Sequence, residues 1–458
     1  MNTSWVLFWI ASATFFMQSL DTTMVYVAIP AIAQSLHQPV LHMETIVISY
    51  IVTVVAFTPA NSWLAERLGE RKTYQIAIAI FTLGSLLCMT ATTLGSLSVF
   101  RFIQGIGGAL MLPIIRTVIL RTTPQELKLR FLNRVTLLGL LGTLIGPVFG
   151  NILVSFLSWQ AIFLVNIPLA LLCFFLATRY IPVATIKETA RTGAYEVAFP
   201  ILMLFLVAFM LTTATKNILP TFVMLFLSCS TLGLVFIYYR QHLIAETALF
   251  PRALFGIRTF SVGVIGGIVT RTLLASIPVV LSLMLQTTLA CKPVETSLIL
   301  LLFSSGALLS KLLFEPLVKR IGYRRLLMLT TSVTSLCILA LSVAVQEKSM
   351  LLIGIIAMLL GVLISTLYSA ESTLAFSNLN NSTYHSGNNL LTISQLLSVM
   401  LSMTLTFPVL RFLSQFEILF NLNHFSLLFL LLGIGLPLCC LIFKPLNNDD
   451  GYHFIHGR

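Results

Sequence analysis

Apolar residues run along this chain in blocks of about twenty, separated by short polar turns, and that spacing predicts helices that cross a membrane. Fourteen blocks can be marked, at 5–32, 45–65, 73–92, 97–120, 132–157, 160–181, 197–215, 219–239, 259–286, 296–317, 325–346, 349–371, 387–411 and 422–443. The pattern describes an all-α polytopic membrane protein. One turn occurs twice. Leu64-Ala-Glu-Arg-Leu-Gly-Glu-Arg-Lys72 returns without a gap as Leu317-Val-Lys-Arg-Ile-Gly-Tyr-Arg-Arg325, so that Arg67 matches Arg320, Gly69 matches Gly322 and Arg71 matches Arg324. An echo at that distance points to two related halves, as in many transporters. The architecture expected is two six-helix pseudo-repeat bundles, 1–181 and 259–443. Two extra central spans and their linkers fill 182–258, and a tail follows at 444–458.

Charge gives the blocks a direction. The chain has 458 residues, 57% hydrophobic and 9% charged, with a net charge of +12. Such a balance of positives would suit nucleic acid in a soluble protein. Here the positives lie in alternate loops, at Arg67, Arg71, Lys72, Arg121, Lys128, Arg130, Arg134, Arg179, Lys187, Arg191, Arg240, Arg252, Arg258, Lys319, Arg320, Arg324 and Arg325. The other loops hold Lys216, Lys292, Lys348 and Arg411. That asymmetry puts both termini in the cytoplasm. The first block is too long, and lacks the basic start, for a signal peptide. The seven cysteines have no metal-ligand spacing, and most fall inside spans as small apolar fillers.

Chemistry enters with the charges inside the blocks. Asp21 lies well within the first span. A carboxylate is costly there when ionised and is disposed to take up a proton, the property a proton-coupled carrier needs; an acid lining a watery cavity, or satisfied by Thr22 and an arginine, is the other reading. Arg101 in Arg101-Phe-Ile-Gln-Gly105-Ile-Gly-Gly108 is a second deep charge, unless it snorkels to the outer surface. Arg116 is placed to snorkel at the inner end of the same span. Glu66 can pair with Arg67 or Arg71 at the turn, or be ordinary interfacial charge. Glu66, Arg67, Gly69, Arg71 and Lys72, with Arg320, Gly322 and Arg324, form the candidate gating loops. Gly142, Gly146 and Gly150 share one helix face, and Pro147 favours a kink among them, a candidate rocking contact between the halves.

These residues resemble the major facilitator superfamily, and within it the fourteen-span drug:proton antiporter branch. Leu20-Asp-Thr-Thr23 resembles that branch's first-span signature. Leu64–Lys72 resembles the superfamily's motif between spans two and three, Arg101–Gly108 its fourth-span motif, and Gly142–Gly150 the exporters' antiporter motif. Phe16–Thr23 and Ser386–Leu390 bring the chain near a group of multidrug exporters. The resemblance covers nearly the whole chain. It implies Asp21 as the protonation site, Arg101 as its assistant, and Gly146-Pro147 as part of the exporter hinge. Departures stand at Asn61 and Asn151, where glycines are usual, at Glu66 for an aspartate, and at Tyr26 for an asparagine.

The second half adds Arg271, within about one helical turn of the position equivalent to Asp21, and Lys311 in the tenth block. Glu315 and Glu371 are expected at the interface. Deep charge would then be mainly positive, which favours an alternative cargo, an organic anion such as citrate or its metal chelate. Gln18, Thr22, Tyr26, Arg271 and Lys311 are the candidates to line a substrate cavity. No metal cluster, nucleophile elbow or nucleotide-binding motif is present, so neither an enzyme nor an ATP-driven pump is expected. The expected protein is a monomeric exporter of small molecules that rocks between two open states, with the proton gradient as energy source and no cofactor. The stretch Asn378–Asn389 is expected as a polar loop.

Overall fold

The computed structural model describes residues 3–122, 125–183, 252–379, 381–416, 422–447 and 450–451. The chain divides into two compact units, Met1–Val235 and Phe236–Arg458. Twelve helical stretches among the described residues are long and apolar enough to cross a membrane. They match the twelve blocks marked outside the centre; the central blocks 197–215 and 219–239 lie outside the described residues.

The first unit is built from α1 (Thr3–Ser35), α2 (Glu44–Phe57), α3 (Ala60–Leu68), α4 (Glu70–Met89), α5 (Leu94–Thr122), α6 (Gln125–Phe156), the short α7 (Ala161–Leu164) and α8 (Asn166–Tyr180). The 33 residues of α1 make a rod of about 50 Å, longer than the apolar core of a bilayer. Where α1 meets α6, small residues set the distance. A side chain at Gly142 would strike the Phe16 carbonyl at 2.5 Å, one at Gly146 would strike Thr23, and one at Gly150 would meet the Met24 backbone at 2.9 Å. The glycine stripe thus packs as a seam against α1 inside the first unit. Helices in lipid gain little from apolar burial against one another, so close backbone approach of this kind carries the packing. Asn151 ends the stripe as a buried side chain, with the Ser155 hydroxyl donating to its Oδ1 at 3.2 Å. Asn61 is also buried, and its Nδ2 donates to the Ala109 carbonyl of α5 at 2.9 Å. A hydrogen bond across helices replaces the close contact a glycine would allow.

The second unit contains α9 (Arg252–Phe255), α10 (Arg258–Leu274), α11 (Ile277–Thr287), α12 (Pro293–Ile321), α13 (Tyr323–Gln346), α14 (Met350–Phe376), α15 (Asn381–Leu413), α16 (His424–Gly435) and α17 (Cys440–Phe443). α10 and α11 form one crossing interrupted before Pro278. The Ser402 hydroxyl of α15 accepts the Ser276 amide there at 3.0 Å, and Thr406 donates to the Ser276 hydroxyl at 2.8 Å. The backbone polarity freed by the break is therefore satisfied from the side. α15 starts at Asn381, so most of the polar stretch expected as a loop is helix.

The repeated turn has the same backbone in both units. Gly69 has φ 79° and ψ 154°, and Gly322 has φ 76° and ψ 162°. Each closes one helix and opens the next. The Gly69 amide donates to Ala65 at 3.1 Å, and the Gly322 amide to Val318 at 2.9 Å. Positive φ with extended ψ is open to glycine almost alone.

Candidate functional site

Asp21 is 1% exposed, and two other helices supply its partners. Arg101 of α5 donates from Nη1 to Oδ2 at 2.7 Å. Gln104, one turn further along α5, donates to Oδ1 at 3.1 Å. Asn166, the first residue of α8, donates to Oδ1 at 2.7 Å. The network continues outward, since Gln104 accepts from Arg101 at 2.6 Å and donates to the Ser85 hydroxyl of α4 at 2.9 Å. The Arg101 guanidinium also lies over the rings of Phe163, at 4.9 Å, and Tyr50, at 5.3 Å. Arg101 therefore does not snorkel. A charged pair in this setting keeps its place only with excellent geometry and further hydrogen bonds, and both are present.

While Asp21 is ionised it ties α1 to α5 and α8. A proton on the carboxylate cancels the attraction to Arg101 and frees α1 from that tie. Gln104 and Asn166 join this network beyond the residues picked out from the sequence. Each had a signal: Gln104 sits three positions after Arg101 on the same helix face, and Asn166 is a lone amide in the apolar run 161–175.

The other first-unit candidates fall near this network. Gln18, half-buried, donates to the Gly108 carbonyl at 3.2 Å and to the Tyr50 hydroxyl at 3.3 Å. Its Oε1 is buried with no protein partner, a polar atom available to a ligand. Thr22 turns back to the Gln18 carbonyl at 2.9 Å, and Tyr26 is half-buried one turn on. Arg116 lies over the Phe15 ring at 5.6 Å and is half-buried.

At the repeated turn the acid bound to the helix bundle is Glu70, which the sequence reading leaves without a role. It accepts from Arg121 at the end of α5 at 2.6 Å. Arg67 stacks over Trp63 at 4.7 Å. The second copy has Tyr323 in place of Glu70, buried and packed against Gly451 of the tail. Asp450 of that tail pairs with Arg258 at 2.9 Å, and Lys319 pairs with Glu315 at 2.6 Å on the exposed face of α12.

In the second unit Glu371 is 0% exposed, which corrects its expected place at the interface. Arg271 donates to its Oε2 at 3.2 Å and Thr270 to its Oε1 at 2.7 Å. Arg271 is not a free base, and the excess of deep positive charge that favoured an anionic cargo falls to Lys311 alone among the bases picked out for it. Lys311 donates to the Ser369 hydroxyl at 2.6 Å.

Comparison with known proteins bears on the family and the fold. A family model described as Major Facilitator Superfamily matches residues 11–277. A protein of Pectobacterium carotovorum subsp. carotovorum (strain PC1), named "Putative multidrug resistance protein MdtD", is 33% identical over 414 residues, covering 89% of this chain and 87% of that protein. A protein of the same name from Citrobacter koseri is 33% identical over 467 residues, covering 100% and 98%. Among solved structures, a D-xylose-proton symporter has a TM-score of 0.69 at 14% identity, over 98% of this chain and 99% of that one. The POT family transporter PepTSo has a TM-score of 0.70 at 13% identity, over 96% of each chain. At those identities the structures bear on the fold alone.

Proposed function

This chain belongs to the major facilitator superfamily, and we propose that it is a proton-coupled antiporter that exports drugs or other xenobiotics from the cell. The observation that carries the proposal is the buried Asp21, bonded to Arg101, Gln104 and Asn166 on two other helices. A proton arriving from outside neutralises Asp21 and loosens α1 from α5 and α8. Loss of the proton to the cytoplasm restores the three bonds. Cargo leaves in exchange for the proton. The relatives' printed name supports the cargo class, and the paired arginines favour it over citrate or another anion. The protein works as a monomer in the bacterial inner membrane with both termini inside. The proton gradient drives it without ATP or a cofactor.

The test is uptake into inside-out vesicles under an imposed pH gradient, for the parent and for Asp21→Asn. A lipophilic cationic dye should accumulate in the parent and not in Asp21→Asn. Citrate uptake without dye uptake would overturn the cargo, and dye uptake undiminished in Asp21→Asn would overturn the coupling site.

A further inference from the structure

The second unit holds a buried acid that the proposed cycle does not use. Among the described residues, each unit contains a buried carboxylate–guanidinium pair between its first and fourth crossing helices, and the charges are reversed. In the first unit the acid, Asp21, is on the first crossing and the base, Arg101, on the fourth. In the second unit the base, Arg271, is on the first crossing and the acid, Glu371, on the fourth. We propose that Glu371 is a second proton-binding site, at which a proton takes the place of Arg271 on Oε2. The proposal rests on the proton-coupled reading above.

The geometry of the pair carries the inference. Asp21 accepts three hydrogen bonds, two of them at 2.7 Å. Glu371 accepts Thr270 at 2.7 Å and Arg271 only at 3.2 Å, although it is fully enclosed. Its anion is less completely satisfied, and an incompletely satisfied buried anion is the one a proton relieves. Arg271 meanwhile has other partners. Its Nη2 donates to the Tyr368 carbonyl and to the Ser372 hydroxyl, both at 3.2 Å, and the guanidinium lies 4.4 Å from the centre of the Tyr368 ring. It stays held when Oε2 is protonated, so the exchange does not leave a bare buried cation. The balance is simple: one proton from water adds to Oε2, one hydrogen bond from Nη1 is given up, and the pair gains one positive charge.

A route and a size limit support the same assignment. Ser372 also accepts from Gln395 of α15 at 3.1 Å, so a polar row runs from the enclosed Glu371 through Arg271 to two half-buried side chains. The space beside the pair is filled, since a side chain atom at Gly267 would stand 2.5 Å from Arg271 Nη1 and 3.4 Å from Glu371 Oε2. No group of three or more His, Cys, Asp or Glu side chains that would hold a metal occurs among the described residues. Other titratable or charged groups face the pair from its neighbours. They are Tyr368 on α14 itself, Cys439 beside α17, and Lys311 of α12, which is within electrostatic reach of Arg271. From α15 the group facing it is the neutral Gln395, and Tyr323 of α13 meets α14 two positions on, at Thr373.

The experiment is an infrared titration of the full-length chain in liposomes, which reads protonated carboxyl groups without any cargo. On acidification, a protonated-carboxyl band should grow in the parent and in Asp21→Asn and be lost in Glu371→Gln. In Arg271→Gln, with the competing cation gone, that band should grow in at higher pH. A set of bands identical in the parent and Glu371→Gln overturns the proposal. Should Glu371→Gln fail to fold, the neutral pair Arg271→Gln with Glu371→Gln gives the same comparison. Failure of the antiport reading is distinct: the parent then shows no pH-driven dye uptake while the Glu371 band is still present. A missing band with dye uptake intact sinks the second site alone.

Discussion

Asn166 and Asp21 lie 145 positions apart in the chain and 2.7 Å apart in the structure. The bond joins the start of α8 to the middle of α1 and makes Asn166 a positioning residue for the acid. Asn166→Ala removes a donor to the anion, which favours the neutral acid, so half-maximal pH-driven uptake moves to higher pH. Asn166→Asp sets a second carboxylate beside the first and moves the profile further in the same direction. A profile unchanged in both variants would show that Asn166 has no hold on the proton.

Asp21→Asn removes the counter-charge of the buried Arg101 guanidinium and leaves it neutral partners such as Gln104. Breaking a buried pair in this way costs about 3–5 kcal/mol. Combining it with Arg101→Gln should restore much of the thermal stability in detergent. It should not restore pH-driven uptake, which stays at least about tenfold below the parent, equivalent to about 1.4 kcal/mol or more. Recovery of uptake by the double variant would mean that the pair only holds the fold.

Gly69→Ala and Gly322→Ala should each cost about 1–3 kcal/mol, because alanine is strained at those angles. Asparagine, which tolerates a left-handed turn with small ψ, should rescue neither, since ψ is 154° and 162°. Equal losses of melting temperature in the two variants would bear out the equivalence of the two turns. Wild-type stability with asparagine would contradict it.

Gly142→Ala should destabilise the first unit by about 1–3 kcal/mol, since its new methyl meets the Phe16 carbonyl at 2.5 Å and backbone cannot give way. Gly435→Ala, with nothing within 4 Å, is the control and should leave the melting temperature unchanged. The comparison is a thermal scan of the detergent-solubilised chain.

Glu70→Gln should lower stability by less than about 1 kcal/mol, because Arg121 is 61% exposed and water screens the pair. Its effect should appear in transport rate. The reversal Glu70→Arg with Arg121→Glu should recover that rate, and failure to do so would assign Glu70 a role other than pairing.

The blocks of apolar residues were enough to place twelve crossings, because a helix in lipid must close its own backbone bonds and so needs a fixed apolar length. The glycine at each repeated turn was legible for a related reason, as local backbone angles depend on the residue itself. Asp21 and Arg101 could be singled out by their cost in an apolar span, and so could Asn166 and Gln104 by the same rule. Glu371 was misplaced by a boundary. A block ending at 371 sets it at the membrane surface, whereas α14 continues to Phe376 and carries it inside.

What the sequence by itself determined was the number of crossings outside the centre, the two equivalent turns and the set of deep polar groups. Only the tertiary structure decided which of those groups meet. The partners in the two buried pairs are separated by 80 and 100 positions, and contact between them depends on the rotation and depth of each helix against its neighbours. Hydropathy says that a side chain is inside, and the close approach allowed by small residues sets how the helices turn. That packing put a carboxylate on Arg101 and on Arg271 and so weakened the case for an anionic cargo. It also turned the glycine stripe toward α1, where it builds a seam within one unit.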